Sequence, residues 1–268
     1  MNCKICNKKS SLYLESKIFK EKQNISYFKC NNCSFIQTED PYWLLKAYSS
    51  AITKSDIGLI SRNIYSSNIL ENILLNLFPN VDKCLDYAGG YGIFVRIMRD
   101  KGFNFYWYDD YCENIFSEHF VGTLSKHYDL ITAFEVFEHL PNPLDIIEKL
   151  LKITNTLFFS TEITDDVTNF NDWWYRGEIS GQHISFYHTD TLQFVAKKYN
   201  LHYYSFANKT IHLFTKNKIN EIDLQNFTHP YQPSLMDKVF KKNTNQAITH
   251  RESLLNSDYN AIIKHLNS

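Results

Sequence analysis

Near residue 87 a strand candidate runs directly into a glycine-rich turn and from there into a helix. The strand covers 83–87, the turn is Ala88-Gly89-Gly90-Tyr91-Gly92, and the helix runs from Ile93 to about Lys101. Glycines at such a junction let the backbone turn tightly and come close to a ligand. The alternation continues down the chain. Residues 104–108 and 129–134 read as strands. Residues 143–153 read as a helix with Leu144, Ile147 and Leu151 on one face, and 156–160 as another strand. Residues 190–199 have a helical pattern, and strands near 202–206 and 210–215 follow with no helix between them. Strands that alternate with helices imply an α/β fold, a mostly parallel sheet covered on both faces. The last strand pair implies an antiparallel edge strand.

The flanks read differently. Four of the six cysteines fall within the first 33 residues, in a segment rich in Lys and Asn. From about Pro41 to Phe78, Ile60, Ile64, Leu70, Ile73, Leu74 and Leu77 recur at three- and four-residue steps, a helical period that Pro79 and Asn80 end. After residue 216 the chain is polar and carries Pro230 and Pro233, and is expected to form an arm with one or two short helices. The expected division is a small module over 1–40, a helical connector over 41–80, an α/β domain over 81–216 and a C-terminal arm over 217–268. Twenty-eight basic residues face 29 acidic ones, which leaves no broad positive field to hold a phosphate backbone. No run of about 18 apolar residues occurs, so no membrane span is expected. The start, MNCKICNKKSS, lacks the apolar stretch of a secretion signal. The expected location is cytoplasmic, where thiols stay reduced.

Cys3-x-x-Cys6 and Cys30-x-x-Cys33 are separated by 23 residues. Two thiolate pairs at this spacing suit a tetrahedral zinc ion, each pair forming a knuckle. The alternative is two unrelated, redox-active thiol pairs. Four sulfur ligands leave no open coordination position, so the zinc would be structural. It would also supply folding energy that so small a module cannot draw from its own core.

Three acidic positions fall at the carboxyl ends of the expected strands, where open α/β sheets bind ligands. Asp86 ends the first strand, before the glycine turn. Asp109 follows the second, with Asp110 beside it as the other candidate for a ribose. Glu135 follows the third, in Glu135-Val-Phe-Glu138-His139-Leu140. These segments together resemble class I S-adenosylmethionine-dependent methyltransferases, over roughly residues 65–216. The resemblance implies a Rossmann-like methyltransferase domain. It implies a cofactor site drawn from Asp86, Ala88, Gly89, Gly90 and Gly92 around the methionine part and ribose, with Asp109 or Asp110 on the ribose and Glu135 and His139 by the sulfonium. The paired cysteines, Trp173-Trp174-Tyr175 and Gly181-Gln-His-Ile-Ser-Phe-Tyr187 are similar to zinc-module methyltransferases of sugar and surface-polysaccharide pathways. Asp110 departs from that pattern, in which proline is expected.

Methyl transfer to a hydroxyl, amine or acidic carbon needs a proton acceptor, and histidine suits that work near neutral pH. His183 is the first candidate base, with His139 and Glu162 as further catalytic candidates. Trp173, Trp174, Tyr175, Glu178 and Gln182 form the expected acceptor wall, since aromatic surfaces with a few convergent polar groups suit a small molecule. The leading expectation is an enzyme acting on a small-molecule acceptor, a sugar nucleotide or polysaccharide precursor. An RNA methyltransferase that grips RNA with the Lys-rich module, and a non-catalytic binding protein on the same fold, are the alternatives. A nicotinamide enzyme is disfavoured because the turn reads Gly-Gly-x-Gly rather than Gly-x-Gly-x-x-Gly.

Overall fold

The two cysteine pairs fold as matched turns. In each, the residue after the second cysteine has a positive φ, 57° at Asn7 and 60° at Ser34. Its N–H bonds back to the carbonyl of the first cysteine, Asn7 to Cys3 at 2.9 Å and Ser34 to Cys30 at 3.2 Å. From the first turn the chain enters β1 (Ser10–Ile18), and β2 (Gln23–Cys30) returns antiparallel to it into the second turn. β3 (Ile36–Thr38) adds to β2. Helices α1 (Leu44–Ala47) and α2 (Leu59–Leu77) follow. The structure, a computed structural model, describes residues 1–19, 23–47, 56–220 and 251–266. Pro230 and Pro233, and most of the expected arm, lie outside those residues.

The α/β part comprises β4 (Lys83–Tyr87), α3 (Ile93–Asp100), β5 (Asn104–Tyr108), β6 (Leu130–Ala133), α4 (Pro143–Leu151), β7 (Thr156–Ser160), β8 (Ser185–Phe186), α5 (Thr189–Lys198), β9 (His202–Phe206) and β10 (Ile211–Thr215). Six strands form one sheet in the order β5-β4-β6-β7-β10-β9. β5, β4, β6 and β7 pair in parallel, and β10 is antiparallel to both its neighbours. The antiparallel strand is thus one place in from the edge, because the tight β9–β10 connection folds β10 back between β9 and β7.

Alternate residues of each strand feed opposite faces, as the pleat requires. Cys84, Leu130 and Phe158 join Ile73 and Leu74 of α2 and Val95 and Met98 of α3 on one face. Leu85, Ile131, Leu157 and Phe159 join α4 and α5 on the other, where Cys3, Cys30, Cys33 and Phe35 belong to the same buried cluster. The N-terminal segment is therefore not a detached module. β8 completes its sheet by pairing with β3, and Thr191 at the start of α5 bonds the Cys33 carbonyl at 2.6 Å. Ile60 and Ile64 are about half exposed, and the buried residues of α2 begin only at Ser66. A last helix, α6 (Leu255–Leu266), is tied to α3 by a buried pair in which Asp258 takes two bonds from Arg99, at 2.7 and 2.8 Å. Among the described residues, no helix is long and apolar enough to cross a membrane.

Candidate active site

Strand order reverses at β4, with β5 on one side and β6 on the other. Side chains leaving the carboxyl ends of such strands meet in a crevice, and here that crevice is a cavity of ≈ 2220 Å³. That is larger than the ~300–1,000 Å³ of a typical small-ligand pocket, so it can hold two ligands side by side. Its walls are the turns after β4, β5, β6 and β7, the start of α2, residues 15–17 of β1 and much of 171–183.

The glycine turn forms one end. Gly92 has φ +83°, and a Cβ there would lie 2.5 Å from Asn114 Oδ1. A Cβ on Gly89 would lie 2.8 Å from both Asp86 Oδ2 and Trp107 Cδ1, so the turn packs against its own strand with no room for a side chain. Ala88 (φ 57°) and Glu135 (φ 55°) also adopt the left-handed region, without glycine's freedom. Such strain is found where surrounding contacts impose it. At Glu135 they are visible: its N–H donates to Ser160 Oγ, and that hydroxyl donates back to Glu135 Oε1, both at 2.7 Å.

Asp86 is buried and accepts a bond from Thr132 Oγ1 at 2.6 Å. Burial pushes its pKa up to about 7, against the opposing effect of the Thr132 bond, and nearby Asp109 raises it further. The consequence for stability has a definite sign. Between about pH 4 and pH 7 the unfolded chain loses this proton while the folded chain keeps it, so stability falls as pH rises. Asp86→Asn is expected to flatten that fall. From pH 5 to pH 8 the natural protein should lose roughly 2–3 kcal/mol more than the variant in urea unfolding. Equal slopes would mean that Asp86 is ionised in the fold.

Asp109 binds backbone on both oxygens. Oδ2 accepts from Gly90 N–H at 2.9 Å, and Oδ1 from Tyr111 and Cys112 N–H at 2.7 and 2.9 Å. It lines the cavity and braces the glycine turn. Asp110 is exposed, accepts from the Tyr108 hydroxyl at 2.6 Å and lies outside the lining, as does Gly92. Asp86, Ala88, Gly89, Gly90, Glu135, His139, Glu162 and His183 all line the cavity, with Trp173, Trp174, Tyr175, Glu178 and Gln182. Trp174 is 75% exposed at the rim, whereas Tyr175 is buried with its hydroxyl 3.3 Å from Thr161 Oγ1. Gln182 donates to the Ala47 carbonyl at 2.9 Å, which holds this wall to α1.

Two imidazoles meet in the cavity wall. Their ring centres are 4.8 Å apart. His183 Nδ1 faces the Tyr175 carbonyl at 2.5 Å, and His139 Nδ1 faces the Gln182 carbonyl at 3.2 Å. Burial lowers both pKa values, to about 4 for His183 and about 3 for His139, so both rings are neutral at pH 7. Burial also raises Glu162. It raises the thiols of Cys84 and Cys112 as well, Cys112 to about 11, so neither is poised as a nucleophile.

Three groups are absent from the sequence-level candidates. Arg62 of α2 chelates Asp56 at 2.7 and 2.8 Å and reaches Glu135 at 3.4 Å. Buried Arg176 bonds Ser16 Oγ of β1 at 2.9 Å and Glu178 at 2.7 Å. Glu138 is fully buried beside His139. Its place three residues after Glu135 was legible, but nothing in the sequence marks it as fully buried.

The cysteine cluster lies away from the cavity. Cys3 and Cys33 sulfurs are 3.6 Å apart, Cys6 and Cys30 sulfurs 3.4 Å, and all four lie within 4.8 Å of one another. A tetrahedral zinc with Zn–S near 2.3 Å needs edges of about 3.8 Å. Ile5 N–H points to Cys3 Sγ and Asn32 N–H to Cys30 Sγ, each at 3.4 Å, one donor per knuckle. The donor set fits zinc.

Sheet order, glycine turn and cleft define a Rossmann-like α/β fold with its cavity at the switch point. A family model described as a methyltransferase domain matches residues 62–205, more than half of the chain, and the chain belongs to that family. No curated protein matches. Among solved structures, the chain is similar to an O-methyltransferase family protein from Burkholderia thailandensis, at 11% identity and TM-score 0.46. That match covers 66% of this chain and 64% of the other, so it spans less than two thirds of that protein. It is similar to the plantazolicin methyltransferase BpumL in complex with SAH, at 12% identity and TM-score 0.45, covering 66% of this chain and 95% of the other. An S-adenosylmethionine-dependent methyltransferase from Thermotoga maritima matches at 12% identity and TM-score 0.44, covering 60% and 92%.

Proposed function

We propose that this enzyme moves a methyl group from S-adenosylmethionine to a small-molecule acceptor, a sugar nucleotide or surface-polysaccharide precursor. The observation that carries the reading is the lining of this cavity, which brings a glycine turn with Asp86 and Asp109 together with a half-buried imidazole pair and an aromatic wall. The donor's methionine part and ribose would lie against Ala88–Gly90 with Asp109 at the ribose, and its sulfonium toward Glu135. Gly92 would shape the turn from outside the cavity, and Asp110, beside Asp109, would be the second candidate at the ribose. Trp173 and Tyr175 would face the acceptor, with Glu178 and Gln182 at its polar groups. His183 and His139 would handle the acceptor's proton, with Glu162 on the same wall.

Cys3, Cys6, Cys30 and Cys33 would hold one structural zinc, for which a reducing, cytoplasmic setting is suited. The zinc-bearing sheet also supplies cavity wall through Glu15–Lys17, which supports a share for it in shaping the acceptor pocket. A near-balanced charge favours a small acceptor over RNA.

Calorimetric titration with S-adenosylmethionine, S-adenosylhomocysteine and NAD tests the reading. Micromolar binding of the first two, and none of NAD, is the expected result; binding of NAD alone overturns it. Asp109→Ala is expected to weaken S-adenosylhomocysteine about 10- to 100-fold, the effect of losing a charge-assisted hydrogen bond. Unchanged affinity would move the ribose role to Asp110.

A further inference from the structure

Glu138 is completely buried, and neither carboxylate oxygen makes a hydrogen bond among the described residues. The Tyr175 hydroxyl and the Glu138 N–H lie close enough to favour its charged form as weak hydrogen-bond donors, but neither reaches full hydrogen-bond geometry, and the Tyr175 hydroxyl also contacts Thr161 Oγ1 at 3.3 Å. A buried carboxyl group with no hydrogen bond of good geometry is costly and asks for an explanation. The groups around it supply one. His139 Nε2 lies 3.9 Å from Glu138 Oε1. One ligand atom from each of Glu138, His139 and His183 lies within 4.8 Å of the other two.

The orientation of the rings points the same way. Each imidazole sets Nδ1 against a backbone carbonyl, which can only accept. Each Nδ1 therefore carries the proton, and each Nε2 carries a lone pair. This is the arrangement that orients metal-bound histidines. The backbone is fixed as well: Glu138 and His139 sit in one 3-10 turn, and Ile184 N–H bonds the Glu138 carbonyl at 2.9 Å. His139 and His183 line the cavity while Glu138 lies beneath it, so an ion held by all three would face the acceptor.

We propose that Glu138, His139 and His183 bind a first-row divalent cation at the cavity floor, and that its open position takes an oxygen of the acceptor. Two imidazoles and one carboxylate suit Zn²⁺, Mn²⁺ or Fe²⁺ and leave positions open. Bonds of ~2.0–2.2 Å put neighbouring ligand atoms ~3.0–3.6 Å apart, so the side chains close by up to about an ångström on loading. The proposal rests on the methyltransferase reading and deepens it by selecting a hydroxyl acceptor over carbon or nitrogen. The cation lowers the pKa of the bound hydroxyl. The O–H bond breaks and its proton passes to Glu162. The oxygen's electron pair then forms the O–CH₃ bond while the S–CH₃ pair stays on sulfur, leaving a neutral thioether. His183 and His139 thus act on the acceptor proton through the ion.

Mn²⁺ tests the site on the full chain, because a hard cation has little affinity for four thiolates. Electron paramagnetic resonance of free Mn²⁺ during titration is expected to show one bound ion per chain. Glu138→Gln and, separately, His183→Gln should each weaken binding at least tenfold. S-adenosylhomocysteine calorimetry on the same variants reports whether the fold and donor site are intact. Should Glu138→Gln fail to fold, His139→Gln takes its place. Acetohydroxamate, an oxygen chelator, should bind the Mn²⁺-loaded protein and not the Mn²⁺-free one. No Mn²⁺ binding up to millimolar concentration overturns the proposal, as does binding that both substitutions leave unchanged. Hydroxamate binding that ignores Mn²⁺ overturns the open position. Failure of the donor reading would appear separately, as loss of S-adenosylhomocysteine binding in the natural protein with Mn²⁺ binding intact.

Discussion

Cys30→Ser is expected to unfold the whole α/β domain, not just the first forty residues. Three of the four cysteines sit in the same buried cluster as Leu85, Ile131, Leu157 and Phe159 of the central sheet. Phe35, beside the second knuckle, packs on Tyr187 at 5.2 Å between ring centres, and Tyr187 donates to the Phe137 carbonyl at 2.9 Å. Loosening the knuckle therefore frees β3 from β8 and uncovers the layer beneath the cavity. A structural zinc contributes an apparent ~10–16 kcal/mol, comparable with the ~5–15 kcal/mol that holds a whole domain together. The expected result is loss of about one zinc per chain, and loss of cooperative thermal unfolding or a midpoint lowered by more than ~10 °C. Circular dichroism and elemental analysis on the same sample check it. A variant that loses zinc yet melts at the natural temperature would show that the knuckles are an ornament on a self-sufficient fold.

That coupling was the part of the fold least visible in the sequence. The strand–turn–helix alternation after residue 81 was legible because each buried strand is short, apolar and bounded by turn residues. The expected strands at 104–108 and 156–160 coincide with β5 and β7. The sheet in the N-terminal segment was not legible. β1 and β2 mix polar and apolar residues and are held by pairing with each other, by the knuckles and, through β3, by distant β8. A two-residue strand such as Ser185–Phe186 has no period to read. Positioning of β10 inside the sheet is likewise a tertiary outcome, since two strands joined by a turn look the same at either place. At the site, residue types were legible and partners were not. Glu135, Glu138 and His139 stand together in the sequence, but only the fold brings Gln182 and His183 beside them.

His183→Gln is expected to cut methyl transfer at least ~100-fold while changing S-adenosylhomocysteine affinity by no more than a few-fold. The ring has one lone pair to offer, on Nε2, because Nδ1 is committed to the Tyr175 carbonyl. Whether that lone pair takes a proton or holds a cation that weakens an O–H bond, glutamine replaces it with an amide that does neither well. Loss of such a group typically costs about 10²–10⁴ in rate. Glutamine keeps an N–H for the Tyr175 carbonyl, so the wall keeps its place and the donor-binding turn, formed by other elements, should be undisturbed. Release of S-adenosylhomocysteine, with the small-molecule fraction of a cell extract supplying the acceptor, gives the rate even while the acceptor is unidentified. The dependence of that rate on added Mn²⁺ then separates the two chemistries. A free base gives a natural protein indifferent to the metal. A cation site gives one that loses activity on chelation and regains it with Mn²⁺, while the variant responds to neither. Normal turnover by the variant would remove His183 from the chemistry and leave Glu162 as the group to test.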